Sequence, residues 1–133
     1  LHLSPFFDIS SAMTVKTEYD KIEPYTTKDG SLIRELMHPN VHGNVNLSLA
    51  EAIIPVGFTT FLHKHHKSEE IYHVLEGNGI VIVGEKRFKV KAGDTILIPP
   101  GTSHQAQNTG ETPLRILCCC SPPYSHDDTE LLV

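Results

Sequence analysis

Residues 58–77 read FTTFLHKHHKSEEIYHVLEG, and how this stretch folds decides the architecture. A helix needs apolar residues every three to four positions, and none recur that way here. Threonine, phenylalanine, isoleucine, tyrosine and valine, alternating with polar residues, instead predict two strands joined by a short polar connection at His66-Lys67-Ser68. Strand side chains alternate between faces, so His63 and His65 project together, and Thr59 and Phe61 share their side as expected pocket walls. Lys64 and Leu62 point the other way. On the second strand Glu70, Tyr72, Val74 and Glu76 form one set. If the two strands pair through their short connection, Glu70 stands beside the two histidines.

The same pattern continues outward. Short β-type runs are predicted at 44–54, 58–65, 69–77, 79–84, 86–91, 94–99, 104–109 and 114–120. Turn residues separate them, among them Pro55-Val56-Gly57, Gly77-Asn78-Gly79, Ala92-Gly93-Asp94 and Pro99-Pro100-Gly101. Many short strands at close spacing predict an all-β sandwich or small barrel. Residues 1–30 read as an N-terminal arm with a turn at Lys28-Asp29-Gly30, residues 31–120 as the barrel, and residues 121–133 as a C-terminal arm. That last arm is expected to lie over the barrel or a partner subunit, or to fray. Met13 is a candidate natural start, which would make residues 1–12 non-native.

Composition narrows the function classes. The chain has 133 residues, enough for one domain with a core, and a net charge of -5 that offers nucleic acid no basic footprint. Its apolar runs are far too short to span a membrane as a helix, and the first dozen residues lack the pattern of a secretion signal. All three cysteines are consecutive, Cys118 to Cys120. Adjacent strand residues face opposite ways, so they are expected to be reduced, small, apolar strand residues in a cytoplasmic protein.

A third histidine, His104, follows the Pro-Pro-Gly turn and opens another strand, with Ala106 and Asn108 on its side. Three imidazoles and a carboxylate suit Mn, Fe, Ni, Zn or Cu, and four protein ligands leave positions for water, oxygen or a chelating substrate. Parity turns His66 away from His65, and His73 away from Glu70, so both are expected at the surface, as are His38, His42 and His126. Glu51, Arg34, Gln105 and Gln107 are polar residues on or near strands, any one of which could orient a substrate.

Two spacings now stand out. Gly57, five residues, His63-Lys64-His65, four residues, Glu70, six residues, Gly77 resembles the first cupin motif, with every fixed position filled. Gly93, five residues, Pro99-Pro100-Gly101, two residues, His104, three residues, Asn108 resembles the second, also complete. The chain is similar to small single-domain cupins of the mannose-6-phosphate isomerase-like group. The resemblance implies a double-stranded β-helix, or jelly roll, and metal ligands at His63, His65, Glu70 and His104. It selects Glu70 over Glu69 through the six-residue gap to Gly77. One divalent transition metal per chain is expected, Mn or Fe ahead of Zn, Ni or Cu. Tyr72 is the candidate catalytic acid–base group, and Phe61, Thr59 and Ala106 the candidate substrate pocket.

The reaction is less legible than the site, because cupins serve many chemistries. The expected function is a metal-dependent enzyme acting on a small oxygen-rich metabolite by Lewis-acid or dioxygen chemistry. A non-catalytic small-molecule or sugar sensor is the second reading. A sugar-phosphate isomerase ranks third, since phosphate favours clustered Arg or Lys and here Arg34 and Arg115 are isolated. A homodimer is expected, because a sandwich this small has edges to cover.

Overall fold

The computed structural model describes residues 14–132, so the reading of residues 1–12 lies outside it. Eleven strands run through the described residues: β1 Tyr25–Thr26, β2 Leu32–Met37, β3 Ser48–Ile54, β4 His63–His65, β5 Glu69–Glu76, β6 Asn78–Val83, β7 Lys86–Lys91, β8 Thr95–Ile98, β9 His104–Asn108, β10 Leu114–Ser121 and β11 Thr129–Leu131. A 3-10 turn at Tyr19–Lys21 and one helical turn, α1 at Pro39–His42, complete them. One sheet has the order β1-β2-β3-β10-β5-β8 and the other β11-β4-β9-β6-β7, with every pairing antiparallel. This is the all-β sandwich that the alternation predicts, in the jelly-roll form that the resemblance implies. Among the described residues, no helix is long and apolar enough to cross a membrane.

Period-two alternation builds the interior. Ser48, Ala50, Ala52 and Ile54 turn inward from β3; Leu114, Ile116, Cys118 and Cys120 from β10; Tyr72 and Val74 from β5; Val81 and Val83 from β6. Ile54, Val74, Val81, Ile98, Leu114 and Ile116 are sealed from solvent and form the aliphatic end of the barrel. Each such side chain contributes about 1.5–3 kcal/mol by leaving water. Toward the other end the inward residues become Ser48, His63, His65 and Glu70, so the core grades into a polar chamber.

The asparagine that ends the second motif has a structural task. Asn108 donates through Nδ2 to Ile54 O and Thr112 O and accepts from Gly110 N, tying the 109–113 turn to β3. Gly77 and Gly79 are needed where β5 turns into β6. Gly77 has φ +95°, and a Cβ there would stand 2.7 Å from Pro113 O. At Gly79 a Cβ would meet Gln107 O at 2.5 Å.

The structure departs from the sequence expectation in three places. The run at 58–65 is strand only at His63–His65. Thr60 N donates to Ala106 O but Phe61 N turns aside to Asp29 O, so the ladder breaks between them. The chain also forms β1 and β2, where LIRELM has no clean alternation and a register shift follows Glu35. The C-terminal segment lies over its own barrel, one of the placements expected of it. β11 pairs with β4, placing Thr129 opposite His65 and Leu131 opposite His63. Asp128 accepts from Lys67 N and Ser68 N, and His38 Nε2 donates to Tyr124 O at 2.8 Å. His38, expected at the surface, is therefore buried as an anchor for this segment.

Candidate metal centre

His63 and His104 are direct partners across the β4–β9 pair, and His65 lies two residues along on the same face as His63. All three are at least 96 % buried, and their ligating nitrogens lie within 4.8 Å of one another. Glu70 reaches them from β5 in the opposite sheet. Its Oε1 stands 3.1 Å from His65 Nε2 and 3.2 Å from His104 Nε2. Cys120, its neighbour on β10, donates its thiol to Glu70 Oε2 at 3.4 Å. That cysteine, read as an apolar filler, thus also orients the carboxylate.

The hydrogen bonds behind the rings fix which nitrogen faces inward. Carbonyl oxygens only accept, so His63 Nδ1 donates to Phe61 O (2.8 Å) and His104 Nδ1 to Thr102 O (3.0 Å). Thr129 Oγ1 gives its proton to Ser125 O, so it accepts from His65 Nδ1 at 2.8 Å. All three Nε2 atoms are left as lone-pair donors converging on one region.

That arrangement suits a cation. His104 Nε2 is buried and lies off the hydrogen-bonding direction of Glu70, so it has no partner. His65 could bond both Thr129 and Glu70 only as an imidazolium; a metal at its Nε2 replaces that proton. Burial, then the neighbouring charge of His104, holds the His63 pKa below its usual value, favouring the neutral ligand form. Burial alone would raise the Glu70 pKa, but its contacts with His104 and His65 override that and bring it down to about 2. A neutral His63 beside an ionised Glu70 suits a divalent metal. The donor set therefore fits one.

Tyr72, on the Glu70 face of β5, is buried beside the site, its ring 5.9 Å from that of His104. Burial and the Glu70 charge push its pKa well above 10, so the phenol stays a proton donor. A cavity of about 50 Å³ opens next to it, with Ala50, Ala52, Ile33 and Cys118 as apolar walls and Tyr25, Tyr124, Glu35 and Asp29 as polar ones.

The expected pocket residues lie elsewhere. Ala106 is packed in the aliphatic core. Thr59 and Phe61 border a separate surface hollow, Phe61 being 55 % exposed, because the break at Phe61 reverses parity and turns Thr60 inward instead. Glu51 is buried on the outer face of its sheet, bonded to Tyr19, Arg115 and Arg34, and does not face the cavity. Gln105 bonds Thr60 O, and Gln107 is exposed. His66 is exposed and pairs with Glu130, and His73 bonds Thr95. The residues that sequence reasoning missed are Asp29, whose Oδ2 lies 3.7 Å from His63 Nε2, and Thr129 and Tyr124 of the C-terminal segment. Only the Lys28-Asp29-Gly30 turn left a trace in the sequence.

Known proteins place this geometry. An uncharacterized protein of Methanocaldococcus jannaschii is 63 % identical over 118 residues, covering 89 % of this chain and 94 % of its own. An oxalate-binding protein of Thermotoga maritima is 37 % identical over 86 residues, covering 65 % and 67 %. The crystal structure of a predicted oxalate decarboxylase from Thermotoga maritima superposes with a TM-score of 0.71 at 28 % identity, covering 81 % of this chain and 99 % of that one. The cupin domain model matches residues 50–120, which hold both motifs and all three histidines, and the chain belongs to the cupin family.

Proposed function

We propose that this cupin is a metal-dependent enzyme acting on a small, oxygen-rich metabolite, with His63, His65, Glu70 and His104 holding one divalent transition metal, Mn or Fe first. The observation that carries this reading is the convergence of three Nε2 lone pairs on a buried carboxylate, one of them with no hydrogen-bond partner. A bound metal would supply Lewis acidity to a chelated oxygen. The chain supplies the rest. Tyr72 holds an O–H at the cavity, able to hydrogen-bond or protonate a ligand oxygen. The C-terminal segment, through Tyr124 and Thr129, forms part of the chamber wall. Elemental analysis of untagged protein tests the reading: about one transition metal per chain is expected, and none in a His63→Ala/His104→Ala variant. Metal content unaffected by that change would remove it.

A binding role without turnover is favoured by one finding, the 37 % identity to a protein named for binding oxalate. A substrate panel read by mass spectrometry separates the two, since a sensor gains thermal stability with ligand but releases no product. A homodimer is supported by an apolar pair on the outer face of the six-stranded sheet, where Ile71 and Leu97 sit side by side, each about half exposed. A sedimentation mass near 14.8 kDa would dismiss it. The three free cysteines, Cys118 and Cys120 buried and Cys119 half-buried, fit a reducing compartment such as the cytoplasm.

A further inference from the structure

The turn at Thr27–Ser31 brings to the metal centre a second carboxylate that belongs to neither histidine motif. Three contacts lock it. Gly30 N donates to Thr27 O, Thr27 N to Ser31 O, and Phe61 N, two residues before His63, to Asp29 O at 2.8 Å. Gly30 takes φ +90° with the Phe58 ring against its α-carbon, where a Cβ would come within 2.7 Å of the ring. Asp29 is 9 % exposed. Ser31 N and Ser31 Oγ both donate to its Oδ1, at 2.9 and 2.6 Å. Oδ2 is turned toward His63 Nε2, 3.7 Å away. A carboxylate fixed by one oxygen and presented by the other is a built acceptor.

The chamber's charge says what this acceptor selects. Glu35 adds a further carboxyl to the wall, and its Oε1 is buried without a hydrogen-bond partner. The one lysine on the wall, Lys28, spends its ammonium on His126 O and Thr129 O. Among the described residues, no arginine lines the cavity. A ligand with two charged ends would set its second carboxylate against Asp29, where Lys28, its ammonium already bonded to two carbonyls, is the one lysine or arginine on the described wall to offset the repulsion. A ligand with a hydroxyl beside its metal-binding oxygen would donate to Asp29 Oδ2, a charge-assisted hydrogen bond at a largely buried acceptor. The cavity, at about 50 Å³, admits only a few non-hydrogen atoms.

Resting on the metal reading above, we infer that Asp29 is the specificity-determining residue of this site, and that the site takes small hydroxyl-bearing chelators of the 2-hydroxycarboxylate class in preference to dicarboxylates. Asp29 acts on the ligand and does not hold the metal.

The test uses the full chain loaded with Mn(II), its metal counted first. Glycolate and oxalate are then titrated calorimetrically into wild type, Asp29→Asn and Ser31→Ala. In Asp29→Asn glycolate should weaken by about tenfold or more, while oxalate tightens, because the acceptor is weakened and a negative charge removed. Ser31→Ala, which loosens Oδ1 but keeps the charge, should weaken glycolate less and leave oxalate unchanged. Opposite movement of the two ligands is something a merely structural role would not produce. If both weaken together, or neither changes, the inference is wrong. Loss of metal in Asp29→Asn would make Asp29 a ligand and also overturn it. If wild type itself retains no metal, the metal reading falls and takes this one with it; if wild type loads fully and only the selectivity fails, Asp29 alone is misassigned.

Discussion

Thr129→Val tests whether the C-terminal segment belongs to the metal centre or merely covers it. Threonine and valine have nearly the same shape, so packing at this buried position is preserved while the hydroxyl is lost. Two hydrogen bonds of 2.8 Å go with it, from His65 Nδ1 and to Ser125 O. Their losses are unequal. Ser125 is exposed and its carbonyl can find water, whereas His65 is 4 % exposed and its N–H cannot. The cost in folding stability is therefore that of one buried unsatisfied donor, about 1–2 kcal/mol. The effect on metal binding should be larger in kind. With the proton no longer held at Nδ1, the ring is free to rotate and to protonate Nε2, and losing such a partner of a ligating histidine costs about 10–100-fold in affinity. Competition with a chromophoric chelator gives the metal dissociation constant, and a thermal melt of metal-free protein gives the stability. Thr129→Ser, which keeps the hydroxyl, should stay within about threefold of wild type on the same argument. If Thr129→Val lowers the melting temperature yet binds metal as wild type does, the segment is structural and the reasoning about His65 fails.

Acid should weaken the metal-free fold. The His63 pKa is depressed in the folded protein, so its contribution is complete above the unfolded value of about 6.5 and shrinks as pH falls below it, when the unfolded chain takes up the proton first. Glu70, at about 2, stays ionised throughout that range. Urea midpoints at pH 7, 6 and 5 should fall in order, and a flat series would contradict the assignment. Asn108→Ala removes three hydrogen bonds at once and should cost about 2–4 kcal/mol in chemical denaturation without altering metal stoichiometry. Gly79→Ala drives a methyl into Gln107 O and Leu114 and should destabilise by about 1–3 kcal/mol, or more if the β6–β9 ladder cannot yield. A neutral result there would mean the close approach of the two strands is absent in solution.

Much of this molecule is written in residues that lie near one another along the chain. A strand repeats every two residues, so His63 and His65 had to share a face, and Glu70 and Tyr72 had to share theirs, whatever the partners were. Turn glycines are equally local: Gly57, Gly77, Gly93 and Gly101 all take positive φ where the spacing placed strand ends. Parity carries no information across a broken ladder, and that is where the reading of Phe61 and Thr59 failed. Which way those side chains turn depends on Phe61 N finding Asp29 O instead of a strand neighbour. Thr129, Tyr124 and Asp29 approach the histidines across 34 to 64 residues of intervening chain, with no period to announce them. Their positions follow from which edge of the sheet remained for β11 to pair with, and from how the 27–31 turn seats on Phe58. That His63 and His65 share a face is thus a property of the local backbone repeat, whereas His104 joins them only through the β4–β9 pairing. The surroundings that orient those ligands and set the charge of the chamber come from long-range pairing, which only the folded chain decides.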